Sequence, residues 1–164
     1  MSERATAQDS RTLVGLGGWL ALVGLGLVIS PLRLAAVLIQ TFPPIFQGGT
    51  WEALTSPGSE VYHALWAPLL MFELVGNSAF ILVSLILLFL FFKRSRRFPN
   101  LYIAYAVANL LFILCDAWLG SRVLPDEPMF DPDTARELSR SLIAGAVWIP
   151  YMLNSQRVAN TFVE

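Results

Sequence analysis

Residues 64–97 read ALWAPLLMFELVGNSAFILVSLILLFLFFKRSRR, and this stretch decides the fold. Its long apolar run holds one acid, Glu73, and one amide, Asn77, before it ends in four basic residues between positions 93 and 97. A helix of about 20 apolar residues crosses the roughly 30 Å hydrocarbon core of a bilayer. The stretch therefore predicts a membrane-spanning helix whose basic end lies at one membrane face.

The composition of the 164-residue chain supports lipid as its solvent. Hydrophobic residues make up 55% of the chain and charged residues 14%, whereas soluble domains carry about a quarter charged residues. The net charge of −1 provides no argument for a nucleic-acid partner. Membrane lipid is the partner that the composition indicates.

Three further segments have the length and apolar character of spanning helices. The four helices are predicted at about 13–39, 64–92, 99–119 and 132–153, with polar tails at 1–12 and 154–164. Residues 95–100 suffice only for a tight connection, so the second and third helices form an antiparallel hairpin. Asp131 and Pro132 suit the N-cap and first position of the fourth helix. We predict an all-α membrane protein, a single domain with four transmembrane helices in an antiparallel bundle.

The distribution of lysine and arginine predicts the orientation. Seven of these residues lie with the two tails and the tight connection: Arg4, Arg11, Lys93, Arg94, Arg96, Arg97 and Arg157. Four basic residues lie on the other side, namely Arg33, Arg122, Arg136 and Arg140. Seven acids lie on that side as well. Because cytoplasmic segments carry an excess of lysine and arginine, both termini are predicted to be cytoplasmic.

Each predicted helix carries a charged residue, and charges in spanning segments usually face protein or water rather than lipid. At about 1.5 Å per residue, these charges lie roughly 26–33 Å from the cytoplasmic anchors of their helices, which are Arg11, Lys93, Pro99 and Arg157. That count predicts that the charged residues of the four helices lie at the same depth, near the outer edge of the hydrocarbon. The candidate site comprises Arg33, Glu73, Asn77, Asn109, Asp116, Arg136 and Arg140.

Two interpretations of this cluster stay open. In the first, ion pairs fix the helix register, and the chain is a non-enzymatic accessory or interaction protein with a membrane-protein partner. In the second, an outward-facing polar pocket binds or transports a small solute or ion, and because four helices make a thin bundle, the transport path requires a homo-oligomer.

Catalytic and metal-binding motifs are missing from the sequence. It contains no nucleophile elbow, paired-histidine zinc helix or phosphate-binding glycine loop. A set of His63, Glu73 and Asp116 lacks the ligand spacing that is diagnostic of a metal site. We therefore expect no enzymatic activity, no cofactor and no metal.

Several short stretches resemble a known bacterial family. They are residues 15–20 (GLGGWL), 30–33 (SPLR), 66–77 (WAPLLMFELVGN), 148–151 (WIPY) and 155–158 (SQRV), with Thr161-Phe162 near the end. These stretches resemble the inner-membrane family catalogued as domain of unknown function 2569, the YdgK-like proteins. The resemblance implies a four-helix inner-membrane protein without an established activity, so no functional residue is carried over.

Overall fold

The computed structural model describes residues 14–164, and the regular secondary structure of this part of the chain is helical. Six helices follow one another: α1 (Trp19–Gln47), α2 (Thr50–Thr55), α3 (Trp66–Phe92), α4 (Phe98–Val123), α5 (Pro132–Asn154) and α6 (Gln156–Thr161). No β-strand occurs in residues 14–164, which confirms the predicted all-α class. The polar tail predicted for residues 1–12, with Arg4 and Arg11, lies outside the described residues.

Three helices are long and apolar enough to cross a membrane, namely α1, α3 and α4. They contain 29, 27 and 26 residues, and at about 1.5 Å per residue each exceeds the roughly 30 Å hydrocarbon core. α5 has 23 residues, but its first half is polar and charged. Three of the four predicted spans are confirmed as apolar helices of spanning length, and the fourth stays a prediction.

The bounds of α1 differ from the predicted 13–39. Gly15 and Gly18 have φ angles of 101° and 62°, a left-handed conformation that a right-handed helix excludes, so α1 starts only at Trp19. At its other end, α1 continues through Pro43 and Pro44 to Gln47. Phe42, which is 5% exposed, anchors this last part of the helix in the protein.

A tight turn joins α3 to α4, which confirms the predicted hairpin. The Arg94 N–H donates to the Phe91 carbonyl at 3.1 Å, and the Ser95 N–H donates to the Leu90 carbonyl at 3.0 Å. These two bonds form the Schellman motif that ends many helices, with Arg94 at the left-handed position, φ 56°. Below, the end of the molecule that carries this turn and its four basic residues, 93–97, is called the basic end.

Residues 155–164 close the basic end, although the sequence predicted only a polar tail there. Phe162 is buried and stacks on Phe98 with ring centroids 4.6 Å apart. The Thr161 hydroxyl accepts from the Gly15 N–H at 2.9 Å, and the Arg96 N–H donates to the Glu164 carbonyl at 2.8 Å. The segment before α1, the α3–α4 turn and the segment after α5 therefore meet at one end of the molecule.

The long helices pack in chain order. α1 packs along α3, α3 along α4, and α4 along α5. Within residues 14–164, α1 and α5 do not pack along their lengths. They meet near the basic end, where Trp19 and Trp148 lie edge to face with ring centroids 6.2 Å apart. The bundle is therefore open between α1 and α5 over the rest of its length.

Candidate functional site

Contacts between neighbouring helices set the heights of the predicted site residues. On α3 and α4, the Phe112 ring lies directly against Gly76. Glu73 lies three residues beyond Gly76 and Asp116 four residues beyond Phe112, both away from the basic end. At about 1.5 Å per residue, the two acids therefore lie within a few ångströms of the same height.

Arg140 lies near that height as well. The Asn109 side-chain amide donates to the Ser141 hydroxyl at 2.9 Å, which links α4 to α5. Arg140 lies one residue beyond Ser141 in the direction away from the basic end, and Asp116 lies seven residues beyond Asn109 in the same direction. At about 1.5 Å per residue, Arg140 is therefore within roughly 9 Å of the height of Asp116. Its side chain is exposed.

Arg33 lies much deeper than predicted. The Phe91 ring packs on Gly24, where a Cβ atom would come within 2.9 Å of the ring carbon Cε1. Arg33 is nine residues from Gly24 and Glu73 is eighteen residues from Phe91, both away from the basic end. Arg33 therefore lies roughly 13 Å closer to the basic end than Glu73 does. The predicted common level is wrong for Arg33, because it assumed that helix α1 starts before Trp19.

The predicted ion pairs between arginines and membrane carboxylates are not formed in residues 14–164. Arg136 instead pairs with Asp133 at 2.9 Å, on exposed side chains one helical turn apart. Glu73 lies close enough to Asp116 for their charges to interact, and Asp116 in turn interacts with Glu137. Near this level three acids therefore lie close together, and Arg140 forms an ion pair with none of them within residues 14–164.

Asp116 carries an unsatisfied buried atom. Its Oδ1 atom is buried and accepts no hydrogen bond, while Asn77 on α3 is half-buried. A buried polar group without a partner costs free energy, so such an atom needs an explanation. Whether the seven predicted residues act as one functional site stays a prediction.

A polar stripe runs along one flank of α1. Its small and polar members recur every three to seven residues and are all exposed, and the apolar Val37, 48% exposed, lies among them. We call the small and polar members the polar flank of α1: Gly26, Ser30, Arg33 and Gln40. Trp19, which touches Trp148 of α5, precedes Gly26 by seven residues and therefore lies on the same side of the helix. The polar flank consequently borders the gap between α1 and α5.

The opposite side of this gap carries charge too. Counting from Trp148 in steps of three and four residues along α5 leads to Ala144, Arg140 and Glu137. Glu137 and Arg140 are exposed. Residue spacing does not indicate that Glu137 neighbours Asp116, because only the packing of α4 on α5 brings the two together.

Asp131 caps α5 as predicted. Its carboxylate accepts from the backbone N–H groups of Asp133 at 2.8 Å and Thr134 at 2.7 Å. The hydrogen bond from the Thr134 N–H is the main cause that holds the pKa of Asp131 below its usual value. The cap fixes the start of α5 at Pro132.

The residues weighed for metal binding do not assemble into a site. Within residues 14–164, no group of three or more histidine, cysteine, aspartate or glutamate side chains is arranged to hold a metal ion. The Nδ1 atom of His63 accepts from the Leu65 N–H at 3.2 Å, which is a local turn contact. The hydrogen bond within this turn therefore gives His63 a structural role that involves no metal.

Comparison with known proteins identifies the family. The chain is 29% identical to the inner membrane protein YdgK of Escherichia coli (strain K12) over 157 residues, which are 91% of this chain and 94% of that protein. No solved structure matches the chain. A family model described as protein of unknown function (DUF2569) matches residues 13–163. The chain therefore belongs to the DUF2569 family.

Proposed function

We propose that this chain is an integral protein of the bacterial inner membrane that crosses the bilayer four times and serves as a non-enzymatic accessory or interaction subunit. The name of the Escherichia coli relative supports the location. The three long apolar helices support the membrane-embedded architecture.

The contacts at the basic end support a fourth crossing by α5. If α1, α3 and α4 each cross once, the chain leaves α4 on the side opposite to Gly15. Thr161, however, bonds to Gly15, so the chain has to return between α4 and Thr161. α5 is the helix that makes this return, and its 23 residues extend roughly 34 Å.

Charge supports a cytoplasmic basic end. Lys93, Arg94, Arg96, Arg97 and Arg157 lie at this end. The loop after α4 and the start of α5 contain four acids in eight residues, 126–133. Since cytoplasmic segments are enriched in lysine and arginine, the basic end faces the cytoplasm.

The exposed side chain of Arg33, unpaired in the described part of the chain, is the observation that best supports the interaction role. Its side chain is exposed in the middle of α1 and forms no ion pair or hydrogen bond within residues 14–164. An arginine at the centre of a spanning helix costs about 2.5–3.5 kcal/mol on insertion scales. Such residues usually face protein or a water-filled cavity. Because Arg33 is exposed in this chain, we infer that a second protein covers the side of α1 on which it lies.

A second candidate function is the binding of a small solute or ion at the opposite end of the bundle. It is favoured by the buried, unpartnered Oδ1 of Asp116 beside Glu73. A donor-bearing ligand or a cation would satisfy this atom. The geometry supports this candidate less well, because the predicted basic members do not converge on the two acids. Arg33 lies roughly 13 Å closer to the basic end, and Arg140 forms no ion pair with either acid within residues 14–164.

Extraction in native-lipid discs, followed by mass measurement of the intact particle, tests the accessory role. We expect the chain to leave the membrane together with a second polypeptide. Recovery of the single chain with a bound small molecule would refute that role and favour the solute site.

Cysteine labelling from outside the cell tests the topology. With Cys115 replaced by serine, Ser56→Cys and Pro128→Cys are expected to react with an impermeant reagent, and Asn160→Cys only after lysis. External labelling of residue 160 would refute the fourth crossing.

A further inference from the structure

We propose that the gap between α1 and α5 receives a transmembrane helix of a partner protein whose carboxylate, near the middle of the bilayer, pairs with Arg33. This inference rests on the proposed accessory role and specifies its partner. It combines the depth of Arg33, the composition of the polar flank of α1, and the separation of α1 from α5.

The depth of Arg33 determines what can reach it. Phe92 is the last helical residue before Lys93, so it marks the edge of the hydrocarbon on the basic side. Phe91 lies level with Gly24, which places Arg33 about 15 Å inside that edge, halfway through a core of roughly 30 Å. Lipid phosphates at either face lie too far away to pair with it. The partner charge therefore has to come from within the membrane.

The polar flank has the composition of a helix-packing surface. Gly26 has no neighbouring atom within 4 Å of an added Cβ, so its side of the helix is open. Ser30 and Gln40 are exposed and lie on the same side as Arg33. Helix contacts in lipid are enriched in small residues and in polar groups that bond across the interface.

α1 and α5 leave each other uncovered along most of their lengths. α1 packs on α3 and α5 packs on α4, whereas α1 and α5 separate beyond the Trp19–Trp148 contact. The gap is open sideways toward lipid. It is blocked at the basic end by Trp19, Trp148 and the packed residues 155–164.

Two other occupants fit this surface less well. A second copy docked symmetrically on the same flank would place Arg33 opposite its own equivalent, since isologous contacts repeat the same residue. A small anion would have to leave water and reach the middle of the bilayer, where charge is costly, past the exposed Glu137 on the α5 side of the gap. A helix arriving from the side meets neither obstacle.

The test uses a designed probe and the full chain, both in vesicles of phosphatidylethanolamine and phosphatidylglycerol. The probe is a leucine–alanine helix of about 22 residues with one aspartate at its centre. Energy transfer between labels on the probe and the chain measures binding. We expect the central-aspartate probe to bind at least tenfold more tightly than an all-apolar probe or one whose aspartate lies two turns from its end.

Variants of Arg33 separate docking from folding. Arg33→Gln is expected to reduce binding of the aspartate probe to that of the apolar probe, and Arg33→Lys to retain part of it. The matched control exchanges two neighbours, Leu32→Arg with Arg33→Leu. The exchange keeps composition and depth but turns the charge to a different side of α1. It is expected to lose binding while the chain stays folded.

Each further outcome decides the proposal. Equal binding of aspartate and apolar probes, or full binding by the exchanged variant, would overturn it. Self-association that displaces the probe and survives Arg33→Gln would also overturn it and favour a second copy. A partner recovered in native lipid by wild type and by Arg33→Gln alike would overturn docking at Arg33 while leaving the accessory role intact.

Discussion

Replacing Phe162 with alanine is expected to open the basic end of the protein. The side chain of Phe162 is 5% exposed. Its ring stacks on Phe98 at 4.6 Å and lies 5.9 Å from the ring of Phe91. This aromatic contact holds residues 155–164 against the α3–α4 turn, together with the hydrogen bonds of Thr161 and Glu164 to Gly15 and the turn.

The magnitude follows from what the ring loses when the tail detaches. Burying a phenylalanine side chain contributes about 1.5–3 kcal/mol relative to exposure, and a stacked aromatic pair adds about 0.5–1.5 kcal/mol. Part of the site relaxes around alanine, so we expect Phe162→Ala to weaken docking of the tail by about 2–4 kcal/mol. At 1.4 kcal/mol per factor of ten, the detached population rises roughly 30- to 700-fold.

Hydrogen exchange in lipid discs measures this population at defined amides. The Arg96 N–H bonds to Glu164 and the Gly15 N–H to Thr161, so both amides lose protection when the tail leaves. The control is Val163→Ala, since Val163 is a neighbouring residue with 49% exposure. Equal protection of the two amides in the Phe162 and Val163 variants would refute the reasoning.

Three further predictions concern helix packing, the turn and the cap. Gly76→Ala is expected to lower the unfolding free energy by about 1–3 kcal/mol, because its Cβ would meet the Phe112 ring. Gly120→Ala, with open space around it, is the control in detergent titration, and equal effects would contradict the packing. Arg94→Gly is expected to raise stability by about 1 kcal/mol, since glycine adopts positive φ freely; a lower melting temperature would refute this. Because the pKa of Asp131 is depressed in the folded protein, its cap stabilises α5 above a pH of about 4 and is lost on further acidification. Asp131→Ala should therefore remove part of the acid-induced loss of helicity seen by circular dichroism, and an unchanged acid profile would argue against the cap.

Local sequence pattern was sufficient to predict the hairpin. The predicted helix 64–92 is observed as Trp66–Phe92, and α4 begins at Phe98, one residue before the predicted start. Both predictions depend on apolar runs that end at a basic cluster, which is information within a few residues of the boundary. The cap by Asp131 is local in the same sense.

The candidate site was predicted less well, because height and pairing depend on contacts between distant residues. The positive φ angles of Gly15 and Gly18 delay the start of α1, and the packing of Phe91 on Gly24 sets the height of Arg33 relative to α3. The neighbours of Asp116 depend on how α4 packs against α5. Neither the torsion angles nor the packing can be read from hydropathy or residue spacing.

The bond between Gly15 and Thr161 joins positions 146 residues apart. A contact of this sequence separation forms late, because the loop it closes has to lose its conformational freedom first. The α3–α4 hairpin needs no such closure and can assemble soon after both its helices are in the bilayer. During biogenesis the basic end therefore stays open until residue 161 has been synthesised, although α1 can already pack on α3 before that point.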